Sequence, residues 1–285
     1  MHTRWREIVE RAQESGLSSI AAARALEVLP QKPMLIGSSS KTEKGEAVGV
    51  ETGVQYLVPA GGAMKRGHTN CPLEKQAGCG RICLGSFSGR MILRSVRDSQ
   101  VWKTALYWGD RDLWTHLALR DAERLAKRAR RAGYIPAVRF DGSSDHGAGE
   151  RLLPDLRSMG VEVYDYTKDV DRALRCAGSD YHVVYSYYGT ERSRDEARRV
   201  LLGGGSVSVV YGVRKGQALP AHWVDAHGEE WPVIDGDATG DARFYDREVG
   251  GAPASGGFVV GLRFKSARDW AGSAKRAGLF VTWPS

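Results

Sequence analysis

The sequence predicts an α/β fold, and within that class an irregular (β/α) barrel of the TIM type with a short helical N-terminal extension. Between residues 136 and 211, short apolar segments rich in β-branched residues alternate with amphipathic segments of helical periodicity. This alternation is typical of parallel strands that are buried on both faces. Counted from Val54, about seven or eight strands follow, which fits a barrel better than an open doubly wound sheet.

The chain before the first strand is predicted to be helical. Residues 4–29 contain two apolar faces at helical spacing, separated by Ser15-Gly16, and Pro30 ends the second helix. We therefore divide the chain into a helical extension, residues 1–30, and an α/β barrel domain, residues 34–285.

The barrel domain is predicted to begin with a strand at Val54–Pro59, and residues 99–133 are mostly helical with a break at Gly109-Asp110. The later predicted strands are 136–140, 161–164, 181–187, 207–211, 232–234, 242–245 and 258–263, and the later predicted helices are 149–159, 169–176, 191–202 and 265–277. Residues 213–257 are rich in Gly, Pro and Asp, which indicates an insertion in place of regular helices.

Composition and charge narrow the functional classes. The chain has 285 residues, of which 42% are hydrophobic and 26% charged, a composition typical of globular proteins in water. It contains no apolar run long enough to span a membrane, and its N-terminus lacks the apolar core of a secretory signal. We therefore expect a cytoplasmic protein without membrane partners. The net charge of +7 favours polyanionic partners such as nucleic acids or nucleotides.

The cysteines are concentrated in one loop. Three of the four, Cys71, Cys79 and Cys83, lie within thirteen residues directly after the first predicted strand, and Gly78 and Pro72 place them on a loop. Clustered thiolates hold soft metals or iron–sulfur clusters. With His68 as a fourth ligand the set suits zinc, and three cysteines alone suit a [4Fe–4S] cluster with one open iron.

Polar residues follow the predicted strands and are expected to meet at one mouth of the barrel. Carboxylates grouped there can divide into acid and base roles, because each raises the pKa of the others. The predicted catalytic residues are Asp141, Asp145, Asp165 and Lys168, and the predicted substrate-binding residues are Tyr187, Asp235 and Asp237.

A basic segment is predicted to contact nucleic acid. Its residues fall on the last turns of one helix and on the polar loop before the first strand, where positive charge exceeds the average of the chain. The predicted phosphate contacts are Lys41, Lys44, Arg120, Arg124, Lys127, Arg128 and Arg131.

Several of these segments together resemble a phage protein family named after a phage gene product 88. They are Val138–Asp145, Tyr164–Lys168, the cysteine loop from Asn70 to Leu84, Asp235–Phe244 and Val260–Leu262. The resemblance covers roughly residues 36–265. It implies a phage or prophage origin, a protein of the infected host cytoplasm, and a role around phage DNA. It brings no established activity.

Our first functional hypothesis is exchange of guanine for a 7-deazaguanine in DNA. The constellation is similar to that of transglycosylases, which combine a barrel, a Cys3His zinc site and two catalytic aspartates. Asp165 would be the nucleophile, held ionised by Lys168, and Asp141 or Asp145 would transfer the proton. The sequence departs from those enzymes because its cysteines come early in the chain.

Two further hypotheses use the same residues differently. Three cysteines after the first strand of a partial barrel resemble a radical S-adenosylmethionine enzyme with a [4Fe–4S] cluster, acting on DNA or a nucleotide. The cysteine spacing of seven and then three residues differs from the usual three and two. The third hypothesis is a non-catalytic DNA-binding protein whose fold is stabilised by a bound metal.

Overall fold

Among the residues that the structure describes, eight strands form one sheet in the order β1-β2-β3-β4-β5-β8-β7-β6. The structure is a computed structural model that describes residues 2–37, 43–87, 89–238, 240–265 and 278–283. The strands are β1 Val50–Val54, β2 Ile135–Arg139, β3 Glu162–Thr167, β4 Tyr181–Ser186, β5 Ser206–Tyr211, β6 His222–Val224, β7 Glu230–Asp235 and β8 Phe258–Arg263. All neighbouring pairs are parallel except β6 and β7.

Helices precede the sheet and connect its strands. The α-helices are α1 His2–Glu14, α2 Ser19–Val28, α3 Glu43–Glu46, α4 Glu74–Ala77, α5 Leu84–Phe87, α6 Arg94–Gly109, α7 Arg111–Arg131, α8 Leu153–Ser158, α9 Val170–Cys176, α10 Glu191–Leu202 and α11 Asp246–Val249. Short 3-10 helices occur at Cys79–Ile82, Gly89–Ile92, Glu150–Leu152, Arg243–Tyr245 and Gly278–Phe280. Side-chain caps begin several of the longer helices: Ser18 for α2, Asp110 for α7 and Thr190 for α10.

The sheet is wound in one direction from β1 to β5, and helices α7 to α10 pack on these strands. The α/β class and the parallel sheet are confirmed. The closed barrel is not confirmed, because among the described residues the hydrogen-bonded order is open and ends at β1 and β6.

The two faces of the sheet have different coverings. On one face, Val138, Val163 and Val183 belong to a core that includes helices α1, α2, α6 and α7. On the other face, Ala242 and Phe244 pack on the early parts of β1 to β3. The carboxyl ends of the strands remain open on this second face, and the site lies there.

Two predicted strands differ from the structure, and one predicted helix is not tested by it. The first strand is Val50–Val54 and not Val54–Pro59. It contains Gly53, where a Cβ would lie 2.2 Å from a methyl carbon of Ile36, in the segment before β1, and 3.1 Å from a methyl carbon of Leu125 of α7. Helix α7 and the segment before β1 therefore both approach the strand closely at this glycine. Residues 242–245 are not a strand, because the buried Arg243 turns to meet Asp246 at 3.1 Å in a 3-10 helix. The predicted helix 265–277 lies almost entirely outside the described residues.

The N-terminal helices pack on the rest of the chain. Trp5 and Ile8 of α1 are buried in the main core, and α1 crosses α6 at Gly109. A Cβ on Gly109 would lie 2.0 Å from the carbonyl oxygen of Ile8. The predicted extension, residues 1–30, is therefore in direct contact with the α/β part.

We expect Gly109→Ala to lower the free energy of unfolding by about 1–3 kcal/mol, as overpacking of a core contact does. The clash is with backbone, so no side-chain rotation relieves it. Gly37→Ala is the control, because a Cβ there meets no atom within 4 Å. Urea unfolding of both variants tests this. Equal stabilities of the two variants would show that α1 can move away from α6 without cost.

Candidate functional site

A cavity of ≈ 250 Å³ lies at the carboxyl edge of the sheet, on the face away from helices α7 to α10. The cysteine loop forms one side, and the segments after β2, β3 and β7, together with β4, β5 and β8, form the rest. Eight predicted site residues line it: Cys71, Cys79, Cys83, Asp141, Asp145, Lys168, Tyr187 and Asp237. Strand ends of a parallel sheet therefore converge as expected.

The cysteine loop reaches the cavity through short turns. Gly78 adopts a left-handed conformation with φ 61° and ends α4, so that Cys79 begins a 3-10 helix facing the cavity. The Sγ of Cys71 accepts a hydrogen bond from the Ala60 backbone N–H at 3.3 Å. The described cysteines are all unpaired thiols.

Burial controls the protonation of Cys71 and Cys79. It raises the pKa of Cys71 to about 12, against the opposing effects of the Ala60 N–H and of Lys168. Burial also raises the pKa of Cys79. Both are therefore protonated at neutral pH unless a bound cation stabilises the thiolates.

Lys168 lies beside the cysteines, directly after β3, and interacts electrostatically with all three thiols and with Asp145. Its backbone N–H donates to Asp145 at 2.8 Å. Its ammonium group forms no hydrogen bond or ion pair with another described residue. Lys168 therefore brings a positive charge to the cysteine side of the cavity.

His68 is not part of this group. It is exposed, and its ring lies over Gly16, where a Cβ would be 2.3 Å from Nδ1. The predicted Cys3His set is therefore not formed. Within the described ranges, no three His, Cys, Asp or Glu side chains are grouped as ligands of a single ion.

Arg172 of α9 joins the carboxylates below the cavity. Its guanidinium lies 3.1 Å from Asp141, 3.0 Å from Asp145, 2.9 Å from Glu150 and 4.0 Å from Asp165. The side chain is only 4% exposed. We call Arg172 with Asp141, Asp145 and Asp165 the Arg172 cluster. It fixes the ends of β2 and β3 relative to each other.

Asp165 is fully buried and does not line the cavity. Its carboxylate accepts hydrogen bonds from the Phe140 N–H at 3.3 Å, the Asp141 N–H at 2.8 Å and the Tyr181 hydroxyl at 2.8 Å. Burial, and then the charge of Asp141, raise its pKa to about 7. The expectation that Asp165 reaches the mouth of the sheet is not met, because it lies on the helix-covered face.

Asp141 and Asp145 reach the cavity but are also engaged. Asp141 accepts hydrogen bonds from the Ser144 hydroxyl at 2.9 Å and the Gly147 N–H at 2.9 Å. Asp145 accepts from the Thr167 hydroxyl at 2.7 Å, and burial raises its pKa. These contacts order the loop between Asp141 and Gly147.

The opposite wall of the cavity carries a second charged network. Asp237 lies 2.8 Å from the Lys265 ammonium and 3.4 Å from Arg263, and these contacts outweigh burial and lower its pKa. Asp235 lies 2.7 Å from Arg263 but does not line the cavity. Tyr187 packs edge-on against Trp223 at 5.4 Å between ring centroids.

Several site residues were missed from the sequence. Arg139 projects from β2 into the cavity, stacks on Tyr166 at 4.6 Å and lies 3.2 Å from Asp241. Asn70, directly before Cys71, does not line the cavity but anchors the cysteine loop. Its side-chain oxygen accepts a hydrogen bond from Trp108 at 2.8 Å and lies 3.0 Å from a ring nitrogen of His146. An arginine inside an apolar strand was the available indication for Arg139; Asn70 had none.

The predicted basic contacts are distributed differently. Arg120 is held internally, because it donates to the Pro33 carbonyl at 2.6 Å and to Asp121 at 2.7 Å. The others on α7 share one exposed face: Arg124, Lys127, Arg128 and Arg131. Lys44 lies on α3, where nothing is described of its side chain, and Lys41 lies outside the described residues.

Comparison with known proteins identifies a family. A family model described as gene product 88 matches residues 33–278, and the match begins after α2. No curated protein and no solved structure matches the chain. Across the described residues, none of the helices combines the length and hydropathy needed to cross a membrane.

Proposed function

The chain belongs to the phage gene product 88 family, and from that premise we propose that it is an iron–sulfur enzyme whose cluster is bound by Cys71, Cys79 and Cys83. The family description names no reaction, so the proposal depends on the site. One observation carries it: three thiols from one loop line a single cavity at the carboxyl edge of a parallel sheet, where α/β proteins bind their ligands.

The number of ligands favours a cluster over a zinc ion, because the loop offers three thiols and His68 does not join them. A zinc ion draws four ligands to within about 2.3 Å of one point, and no such group is present in the described part of the chain. In a [4Fe–4S] cluster each thiolate binds a different iron, so the sulfur atoms stay farther apart. Three cysteines leave one iron open, as the radical S-adenosylmethionine hypothesis requires.

When bound, such a cluster supplies single electrons to S-adenosylmethionine and thereby gives access to radical chemistry. The chain itself contributes the environment. The N–H of Ala60 donates to the Cys71 sulfur, and hydrogen bonds to ligand sulfurs raise the potential of a cluster. Lys168 offsets the negative charge that three thiolates would bring into a buried site.

The remaining cavity wall suits a polar substrate. Ser186 and Ser208 pair across β4 and β5 with their hydroxyl oxygens 3.3 Å apart, and both line the cavity. Tyr187 and Asp237 add a ring and a carboxylate. Hydroxyl, carboxylate and aromatic groups recognise sugars and bases, so a nucleotide or an exposed nucleic-acid base is the substrate class that we propose.

Base exchange receives less support from the geometry. It needs a carboxylate that can attack C1′ of the sugar. Asp165 is fully buried, and Asp141 and Asp145 are both bound to Arg172 within 3.1 Å. The charge of Arg172 lowers the nucleophilicity of both carboxylates.

Anaerobic purification tests the proposal. We expect a brown protein with a broad visible absorption band and with iron and sulfide in near-equal amounts. Cys71→Ser, Cys79→Ser and Cys83→Ser should each lose most of the iron and the colour. Cys176→Ser is the matched control, because Cys176 lies on α9 outside the cavity, and it should remain brown.

Two results would contradict the proposal. A colourless protein with one zinc per chain would restore the zinc hypothesis. The second result is a protein that stays soluble but binds no iron after treatment with iron and sulfide. The cysteines would then be buried thiols, and the protein would not be an iron–sulfur enzyme.

A further inference from the structure

Four cations form a row on the last turns of α7, which we call the α7 basic row: Arg124, Lys127, Arg128 and Arg131. They are spaced by three, one and three residues, which places them on one helix face. All four are exposed and line the same shallow surface depression. Over seven residues the row extends about 10 Å along the helix axis.

The row lies at the edge of the sheet opposite the cavity. Arg128 contacts Glu51 at 2.5 Å, at the start of β1. Ile135, the first residue of β2, pairs with Gly49 directly before β1. The cavity is formed where the strands end, so strands of five or six residues, about 17–20 Å long, separate the two regions. A small molecule held inside the cavity therefore cannot contact the row, and the two sites have no described lining residue in common.

The α7 basic row carries more positive charge than the neighbouring carboxylates neutralise. Lys127 lies 2.6 Å from Glu123, and Arg128 is paired with Glu51. Arg124 and Arg131 form no ion pair or hydrogen bond with another described residue. Four cations and two carboxylates leave a surplus of two positive charges on an exposed helix face.

We propose that the α7 basic row docks the phosphate backbone of a duplex nucleic acid, as a site separate from the cavity. One strand of a duplex carries a phosphate for about each 3.4 Å of axis, so the row matches about three phosphates. Arginine suits such contacts because the N–H groups of its planar guanidinium can donate to two phosphate oxygens at once. This inference does not depend on the proposed chemistry of the cavity, and it would hold if the cysteines bound no metal.

The test uses the full chain and a fluorescently labelled DNA duplex, with binding followed by anisotropy over a range of salt concentrations. Arg124→Gln with Arg131→Gln removes the two unbalanced charges. We expect weaker binding, and a slope of log affinity against log salt that is smaller by about two. Arg6→Gln with Arg94→Gln removes equal charge from exposed positions on other helices, and should leave the slope unchanged.

A third variant separates this site from the cavity. Cys79→Ser should bind the duplex as the unmodified chain does, whatever happens to its iron. The inference is overturned if the control pair weakens binding as much as the row pair, since the effect would then be net charge alone. It is also overturned if Cys79→Ser weakens binding equally, or if the chain binds no duplex at low salt.

Discussion

Arg172→Met is expected to lower the free energy of unfolding by about 3–5 kcal/mol, the usual cost of removing one partner from a buried ionic group. Arg172 is 4% exposed and lies within 3.1 Å of both Asp141 and Asp145. Without it, Asp141 and Asp145 would lose the cation that lies between them, and among the described residues Asp165 would keep only Arg139, 3.6 Å away. Methionine keeps the volume, so the loss measures charge and hydrogen bonding more than packing.

The loss should depend on pH. Unpaired carboxylates can take up protons at low pH, which removes part of their repulsion, so the destabilisation should be smaller near pH 5 than near pH 8. Arg175→Met is the matched control on the same helix. Arg175 is 59% exposed and lies 3.6 Å from Glu150, so its loss should cost less than about 1 kcal/mol.

Urea unfolding at several pH values measures both effects. If Arg172→Met unfolds within 1 kcal/mol of the unmodified chain, as the control should, the Arg172 cluster does not hold the strand ends together. A uniform loss at all pH values would instead indicate that packing and not charge is the missing contribution.

The sequence was sufficient for the strands that are buried on both faces. β4 and β5 contain runs of valine and tyrosine, and this pattern predicts strands of a parallel sheet. Closure of the barrel was not predictable in the same way. It depends on which strands pair at the two edges, and no local pattern records that pairing.

The sequence predicted the position of the site in the fold better than it predicted the role of each residue in the site. Strand ends of a parallel sheet meet at one edge, and Cys71, Asp145 and Lys168 line one cavity there. Roles depend on which face each side chain occupies. Because side chains alternate along a strand, Tyr164 and Tyr166 face away from the helices and Asp165 must face toward them.

Arg172 and Arg120 show a second limit. Arginines on amphipathic helices usually point to solvent, and both were part of segments rich in charge. In the structure Arg172 turns inward to four carboxylates, and Arg120 turns inward to the Pro33 carbonyl. Whether such an arginine points inward depends on where its carboxylate or carbonyl partner lies in the fold. That position cannot be deduced from a single sequence when the partner is distant along the chain.

Asp165→Asn is expected to change how stability depends on pH, and this is the second large effect. Burial raises the pKa of Asp165 from its ordinary value of 3.8 to about 7. The folded chain therefore holds this proton more tightly than the unfolded chain does. Its contribution to stability is fully present below pH 3.8, falls as the pH rises, and is lost above about pH 7. The total change is on the order of 4 kcal/mol.

Asparagine removes that dependence because it carries no proton to lose. Its amide oxygen can still accept the 2.8 Å hydrogen bond from the Asp141 N–H, but its amino group would face the Phe140 N–H. We expect the variant to be less stable than the unmodified chain near pH 5, by about 1–2 kcal/mol for the donor left unpaired. Near pH 8 it should equal or exceed the unmodified chain.

Asp155→Asn is the control, since Asp155 lies on the short helix α8 away from the Arg172 cluster. Asp155 is exposed, so this change should alter the free energy of unfolding by less than about 0.5 kcal/mol. The decisive measurement is the difference in unfolding free energy between Asp165→Asn and the unmodified chain at pH 5 and at pH 8. A constant difference would mean that Asp165 is ionised throughout, paired with Arg172 and Arg139. A change of sign between the two pH values would establish Asp165 as the buried, proton-binding support of the strand end that carries Asp141 into the cavity.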